Sequence, residues 1–236
     1  MKSGYALALA GMAETLAISV PTVADALRGR VTLEACDERL ARWSRRLLEQ
    51  ADVRLSTFGL EALGAERAGE TFVVMSNHRS VYDIPVLFQA FPRTLRMVTK
   101  TELFKIPLWG PAMRAAGFIE IDRKDRARAI ASLAVARARL ESGVNVWIAP
   151  EGTRSRDGAL REFKKGGFLL ALETGLRILP VGLRGTEDVL RSGSFDVRKG
   201  ARVEVRFGAP IDPRDYGMER RDELTAATRA AIAALV

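Results

Sequence analysis

Short apolar runs rich in β-branched residues alternate with longer segments of helical periodicity from Val53 to the end of the chain. The strand candidates are residues 53–58, 71–76, 95–99, 118–121, 144–149, 178–183 and 202–207. The helix candidates are residues 83–91, 104–116, 125–142, 163–174 and 221–235. Strands that alternate with helices predict an α/β fold, in which a largely parallel or mixed sheet is flanked by helices.

Length and composition fit one substantial α/β domain with an appendage. The chain has 236 residues, of which 47% are hydrophobic and 28% charged, as expected for a globular and not a disordered protein. Its single cysteine, Cys36, excludes an intrachain disulfide. A metal site of the zinc type is not expected, because the chain has one histidine and no cysteine cluster.

The net charge of +8 is compatible with three kinds of partner: a nucleic acid, an anionic membrane surface or an acidic protein. The aromatic content is only 7%, and no nucleic-acid-binding motif is present. We therefore do not expect nucleic acid as a partner, since that interpretation would rest on charge alone.

The first 50 residues predict a helical segment that precedes a domain at residues 51–236. Residues 5–24 are apolar but contain Glu14 and Pro21, so we expect a poor membrane-spanning helix that Pro21 breaks or kinks. Residues 32–50 predict an amphipathic helix, and most of its arginines fall off the apolar stripe. That stripe consists of Leu33, Cys36, Leu40, Trp43 and Leu47. Such a helix suits an anionic membrane interface, and it equally suits packing on the domain that follows.

The only histidine, His78, follows the apolar run of residues 71–76 and stands five residues before Asp83. Ser80, Asp83 and Pro85 are helix-start residues, so we expect His78 in a turn at a strand end and Asp83 in the first turn of a helix. In that geometry Asp83 accepts a hydrogen bond from one ring nitrogen and leaves the other free as a general base. The alternative is a lone surface histidine near a helix N-terminus.

A second polar turn, Glu151-Gly152-Thr153-Arg154-Ser155, follows the apolar run of residues 144–149. An arginine among glycine and hydroxyl residues suits a phosphate: the guanidinium binds two oxygens, the glycine allows close approach and the hydroxyls donate. The alternative is an ordinary polar turn in which Glu151 pairs with Arg154.

Lys100 and Arg123 each end a predicted strand and are followed by polar residues. Strand ends converge on the mouth of an α/β sheet, so both side chains are expected to face the same ligand.

Taken together and in order, these blocks resemble the glycerolipid acyltransferases. The resemblance is carried by the His-x-x-x-x-Asp arrangement at 78–83 and by residues 100–110, 117–123, 150–155 and 178–182. It covers roughly residues 50 to 210 and implies an acyltransferase domain at residues 51–236, preceded by membrane-binding helices. Glu120 departs from the family's block, which often has an aromatic residue at that place.

The resemblance also implies a role for each site residue. It makes His78 the general base and Asp83 its acidic partner. Acceptor binding would fall to Glu151, Gly152 and Arg154, and phosphate contact to Lys100 and Arg123. Thr153 is a further substrate-binding candidate through the chemistry of its hydroxyl alone. No G-x-S-x-G nucleophile motif is present, so direct transfer is expected and not an acyl-enzyme.

The implied reaction moves a fatty acyl group from acyl-CoA or acyl-carrier protein to the 2-hydroxyl of 1-acylglycerol 3-phosphate, giving phosphatidic acid. No cofactor beyond that co-substrate is expected. Two alternatives stay open: the same chemistry on glycerol 3-phosphate or lyso-ornithine lipid, and a non-catalytic protein that binds a membrane surface. We expect peripheral or monotopic attachment to the cytoplasmic face of an anionic membrane.

Overall fold

The computed structural model describes residues 3–64, 69–122 and 125–236. In these ranges the elements are α1 (Ser3–Leu27), α2 (Leu33–Gln50), β1 (Arg54–Phe58), β2 (Val73–Ser76), α3 (Asp83–Ala90), β3 (Leu95–Lys100), α4 (Thr101–Phe104), α5 (Trp109–Ala115), β4 (Ile119–Ile121), α6 (Arg126–Glu141), β5 (Asn145–Ile148), α7 (Gly166–Thr174), β6 (Ile178–Arg184), α8 (Thr186–Val189), β7 (Arg202–Phe207) and α9 (Arg221–Leu235). All the predicted strands are present, each within two residues of its expected ends.

Within the described residues the strands form one seven-stranded sheet in the order β1-β7-β6-β2-β5-β3-β4. Neighbouring strands are parallel except β6 and β7, which are antiparallel. The predicted α/β fold with a mixed sheet is therefore confirmed. Because β2 to β6 run the same way, their carboxyl ends meet at one end of the sheet, here called the site end.

The central strands are buried on both faces by helices. On β2, Val74 belongs to an apolar cluster that includes Leu87 of α3. Its neighbours Val73 and Met75 point the other way, into a cluster that includes Phe168 of α7. A continuous apolar run is the pattern of a strand covered on both faces, which is why this run carries no polar alternation.

The amphipathic helix α2 packs on the domain. Its residues Leu47 and Leu48 are part of the core. The fully buried Arg96 of β3 donates from Nη1 to Asp37 Oδ1 of α2 (2.6 Å) and from Nε to the carbonyl of Ala116 (2.5 Å). A buried guanidinium needs such partners, so α2 is tied to the sheet by charge as well as by apolar contact.

The helix α1 lies against α2 and keeps one apolar face in solvent. Glu14 pairs with Arg46 of α2 (2.7 Å) and accepts from Gln50 Nε2 (3.1 Å), so its carboxylate faces α2. The exposed face, here called the α1 stripe, consists of Tyr5, Leu9, Met12, Leu16 and Val20. Among the described residues, α1 is the one helix whose length and composition would allow it to cross a membrane.

Pro21 was predicted to break or kink the helix; the break is wrong, since α1 runs through this residue to Leu27. The hydroxyls of Ser19 and Thr22 donate to carbonyl oxygens one turn earlier, at 2.7 Å in each case. These bonds do not replace the donor that Pro21 lacks, which would serve the carbonyl of Ala17. Helix α2 instead holds α1 on both sides of the proline, since Trp43 Nε1 donates to Thr15 before it and Arg39 pairs with Asp25 after it.

The helix predicted at 104–116 is also wrong in its start, because α4 (Thr101–Phe104) ends where it should begin and α5 begins only at Trp109. Pro107 disfavours helical geometry in the residue before it, and Leu108 takes a left-handed φ of 65°. The backbone of Gly110 then packs directly on Phe104, where an added Cβ would lie 2.0 Å from the carbonyl oxygen. The chain therefore folds back on the end of α4 before α5 begins.

Gly182→Ala is expected to destabilise the fold. A Cβ at Gly182 on β6 would lie 2.5 Å from the Cβ of Leu235 and 2.7 Å from its carbonyl oxygen, so α9 would have to shift. Overpacking of this kind typically costs about 1–3 kcal/mol, which should lower the midpoint of urea unfolding. The matched control is Gly166→Ala, whose Cβ meets nothing closer than 4.0 Å. Equal midpoints for the two variants would contradict the packing of α9 on β6.

Candidate active site

The turn that carries His78 begins where β2 ends, and it is anchored to the neighbouring strand β6. The buried Asn77 amide donates from Nδ2 to the carbonyl of Leu183 and accepts from the Leu183 N–H at Oδ1, each at 2.8 Å. This side chain therefore extends the strand pairing by one residue beyond β2. His78 follows directly, so the position of its backbone is set by the sheet.

His78 and Asp83 are hydrogen-bonded, as their spacing predicts. Asp83 is fully buried in the first turn of α3, and its Oδ2 lies 2.7 Å from His78 Nδ1. The same oxygen accepts from the N–H groups of Arg79 (2.8 Å) and Ser80 (3.1 Å). Because an ionised carboxylate can only accept, the proton of a neutral ring sits on Nδ1 and the lone pair on Nε2.

Thr186 completes the surroundings of Asp83, and nothing in the sequence pattern singled it out. The buried Thr186 hydroxyl, at the start of α8, donates to Asp83 Oδ1 at 2.5 Å. Each carboxylate oxygen of Asp83 therefore has its own donors. A threonine 103 residues away along the chain becomes a neighbour only because α8 follows β6 at the site end.

Trp147 of β5 forms a wall beside the imidazole. Its ring meets the His78 ring edge-on, with centroids 5.5 Å apart and planes at 83°. The indole Nε1 donates to Ser76 Oγ at 2.9 Å, which fixes the ring against the end of β2. The indole therefore restricts ring movement of His78 on one side.

Glu151 holds the His78 backbone. Its side chain is only 3% exposed; Oε1 accepts from the His78 N–H (2.8 Å) and Oε2 from the Arg161 N–H (2.9 Å). The Ser155 N–H donates in turn to the His78 carbonyl (2.8 Å). The polar turn at 151–155 is therefore bonded to both main-chain groups of His78. The alternative in which Glu151 pairs with Arg154 is wrong.

Arg154 lies within this turn, one residue before Ser155, and is partly buried. Among the described residues its guanidinium has no hydrogen bond or ion pair, so its donors are available to a ligand. Gly152 takes a left-handed φ of 71°, which makes the sharp turn possible, and Thr153 is exposed.

The other predicted phosphate contacts lie farther out. Lys100 is exposed at the end of β3, two strands from β2, a separation of about 10 Å at the usual strand spacing. Lys100 is thus the last residue of its strand at the site end, and its contact with a phosphate stays a prediction. Arg123 lies outside the described residues. Glu120 pairs with Arg114 at 2.9 Å on the surface.

Arg79, which the sequence analysis did not select, ties the loop between β5 and α7 to α8. Its Nη2 donates to the carbonyl of Gly158 (2.8 Å), and its Nη1 to Glu187 Oε1 (2.6 Å). Arg79, the residue after His78, thus adds a second bond, besides those of Glu151, between the His78 turn and residues 151–163, here called the 151–163 loop.

The pKa values of two titratable groups close to the site, Tyr82 and Asp157, are shifted by their surroundings. Burial raises the pKa of Tyr82, the residue before α3, to about 12, so its hydroxyl stays neutral. The side chain is part of the hydrophobic core. Donation from the Ser155 hydroxyl, followed by the Ala159 N–H, lowers the pKa of Asp157 below its ordinary value. That carboxylate therefore helps to hold the 151–163 loop in its turn.

Comparison with known proteins gives a consistent set of relatives. The family model described as Acyltransferase matches residues 59–184. The chloroplastic 1-acyl-sn-glycerol-3-phosphate acyltransferase of Arabidopsis thaliana is 34% identical over 158 residues, which are 67% of this chain and 44% of that protein. The 1-acyl-sn-glycerol-3-phosphate acyltransferase of Limnanthes alba is 36% identical over 165 residues, covering 70% and 58% of the two chains. The matches thus span about half the length of these relatives.

A solved structure shares the fold. The crystal structure of the 1-acyl-sn-glycerophosphate acyltransferase PlsC from Thermotoga maritima aligns with a TM-score of 0.73 at 24% identity. The alignment covers 95% of this chain and 96% of that one. The arrangement of α1 and α2 with the sheet is therefore part of a known architecture.

Glu151→Gln is expected to destabilise the protein. Glutamine keeps the shape but replaces one acceptor oxygen with an amide donor, which would face a backbone N–H in a buried place. An unsatisfied buried group costs about 1–3 kcal/mol, to be measured as a lower urea midpoint. The control is Glu162→Gln on the same loop, because Glu162 is exposed. If both variants unfold with wild-type midpoints, Glu151 does not hold the turn.

Proposed function

Since this chain belongs to the acyltransferase family, we propose that it transfers a fatty acyl group from acyl-CoA or acyl-carrier protein to the sn-2 hydroxyl of 1-acylglycerol 3-phosphate. The product would be phosphatidic acid. The observation that carries the proposal is the imidazole of His78, fixed through Nδ1 to a fully buried carboxylate at the site end of the sheet. The names of the relatives support the choice of acceptor.

In the proposed mechanism, His78 Nε2 removes the proton from the acceptor hydroxyl while its oxygen attacks the thioester carbonyl. The C–S bond then breaks, and the thiolate takes the proton back from the imidazolium. The products are an ester and a free thiol, and the enzyme returns to its starting state. Asp83 stabilises the imidazolium that exists between the two proton transfers and keeps the ring in the required tautomer.

The acceptor phosphate is proposed to bind Arg154. The guanidinium lies on the turn bonded to His78 and has no protein partner among the residues described. A planar guanidinium can bind two phosphate oxygens at once, which would fix the acceptor relative to Nε2. Lys100 stands on the same side and would add longer-range attraction for a dianionic phosphate.

Attachment to the cytoplasmic face of a membrane is the proposed location. The α1 stripe is apolar and about half exposed, whereas the one carboxylate in the middle of α1 is paired with α2. A helix with such a face suits a membrane interface, and here its opposite side packs on α2. An acceptor that carries a long acyl chain would be met at that surface.

The proposed activity predicts a pattern across substrates and variants. Purified full-length protein should acylate 1-acylglycerol 3-phosphate faster than glycerol 3-phosphate or lyso-ornithine lipid, tested with both acyl donors. His78→Ala should reduce kcat by about 10²–10⁴-fold, since it removes the general base. Asp83→Asn should also be severely impaired, because an amide favours the wrong ring tautomer and brings no compensating charge.

Unfolding midpoints near that of the wild type would show that these variants are folded. A folded His78→Ala protein with near-normal turnover would contradict the mechanism. Absence of wild-type turnover with every donor and acceptor would instead favour the non-catalytic alternative.

Arg154→Lys is expected to weaken use of the acceptor more than use of the donor. Lysine keeps the charge but loses the two-pronged geometry, so the acceptor KM should rise while the donor KM changes little. The preference for 1-acylglycerol 3-phosphate over monoacylglycerol should shrink in parallel, because only the former carries the phosphate. Arg156→Lys, two residues on and exposed, is the matched control. Equal kinetics for the two variants would remove Arg154 from the site.

A further inference from the structure

Phe195 is the most exposed aromatic side chain in the part of the chain that the structure describes. It is 70% exposed and lies in the connection between α8 and β7. A single exposed apolar residue is common in soluble proteins and would need no explanation by itself. Phe195 is of interest because its loop lies next to both the site and the start of α1.

The segment around Phe195, residues 191–199, here called the 191–199 loop, is held firmly at the site end. The Ser80 hydroxyl donates to the carbonyl of Leu190 at 2.7 Å, immediately before the loop. Near its other end, the Arg198 N–H donates to the carbonyl of Val189 at 2.8 Å, and Val197 is buried. Phe195 is therefore exposed on an anchored loop, two residues from a core side chain.

The 191–199 loop also touches the beginning of α1. The Val197 N–H donates to the carbonyl of Gly4 at 3.4 Å. The approach is close, because a Cβ added at Gly4 would lie 2.7 Å from the Val197 carbonyl oxygen. Tyr5, the first residue of the α1 stripe, follows Gly4 directly. Phe195 therefore stands beside the start of the stripe.

The 191–199 loop carries three exposed cations, on either side of Phe195 and of the half-buried Asp196 that follows it. Arg191, Arg198 and Lys199 are all exposed, and none of them forms an ion pair with another residue in the described ranges. An apolar side chain beside unpaired basic residues matches an anionic bilayer, where the ring enters the interface and the cations meet lipid headgroups. The same features would suit an acidic protein, but the loop adjoins the start of the apolar α1 stripe, and this continuity favours a lipid surface.

We propose that the 191–199 loop is a second membrane contact, with Phe195 inserted into the interface of an anionic phospholipid bilayer and Arg191, Arg198 and Lys199 at the headgroups. The proposal rests on the membrane attachment of α1 proposed above. Two contacts joined through Gly4 and Val197 define an orientation, which one helix alone does not. Leu190, the residue before the loop, is bonded to Ser80, two residues from His78, so the proposed contact would hold the catalytic turn close to the bilayer.

Vesicle co-sedimentation of the full chain tests the contact. Phe195→Ser should lower partition onto phosphatidylcholine vesicles containing phosphatidylglycerol about tenfold, from the lost apolar transfer of the ring. The matched control is Phe58→Ser: Phe58 is 48% exposed but ends β1, which runs opposite to β2 and so places it away from the site end. Phe58→Ser should bind as the wild type does. A Phe195→Ser protein that binds like the control overturns the proposal.

A triple variant in the α1 stripe, Leu9→Gln with Met12→Gln and Leu16→Gln, separates this proposal from the one on which it rests. Loss of binding in the triple variant together with full binding by Phe195→Ser would overturn the loop contact alone. Full binding by the triple variant would overturn the membrane attachment of α1.

A fluorescent label gives a readout that does not depend on a loss of binding. Cys36 is buried, which raises the pKa of its thiol, so a cysteine introduced by Phe195→Cys can be labelled selectively. An environment-sensitive label at this position should shift its emission to the blue when anionic vesicles are added, and a label at Phe58→Cys should not. An unchanged spectrum at position 195 while the protein is bound to vesicles would overturn the proposal and leave the loop to a protein partner or to no partner.

Discussion

The geometry of the site depends on one buried carboxylate, that of Asp83. A buried charge is tolerated only when its hydrogen-bonding capacity is met, and Asp83 receives donors from the His78 ring, the Arg79 and Ser80 backbone and the Thr186 hydroxyl. These donors come from a strand-end turn and from a helix that begins more than 100 residues later. The same contacts that make burial of the charge possible therefore fix the imidazole, and its orientation does not rely on substrate.

The backbone of His78 is held as firmly as its ring. The turn at 151–155 bonds to its N–H through Glu151 and to its carbonyl through Ser155, while Asn77 bonds the preceding residue to β6. The residue is thus positioned from β2, β5 and β6 together. Parallel strands bring their carboxyl ends to one place, and short polar turns from three of them can then brace each other. In the turn at 151–155, Arg154 has a guanidinium without a protein partner among the described residues, as a phosphate-binding group requires.

The sequence predicts what depends on local periodicity and spacing. The strands, most of the helices and the His78–Asp83 hydrogen bond follow from patterns within about ten residues, a range over which backbone geometry is predictable. Thr186 and Arg79 were missed because their partners are set by which strands become neighbours. The bond from the His78 N–H to Glu151 was missed for the same reason, because a carboxylate that joins two distant turns leaves no repeating pattern in the sequence. The break at Pro21 was predicted wrongly because α2 holds α1 on both sides of the proline, and such contacts between helices cannot be seen in the local sequence.

The antiparallel pairing of β6 with β7 has a consequence for how the site can vary. A parallel β7 would have required its connection to cross to the far end of the sheet before returning. Because β7 runs back, the whole segment from 185 to 201 begins and ends at the site end. Thr186, near its start, donates to Asp83, whereas Phe195 in its middle is exposed and is not part of any strand. Loops of this kind tolerate insertions and deletions, so relatives can change the rim around His78 in length and chemistry while the sheet and the carboxylate stay as they are.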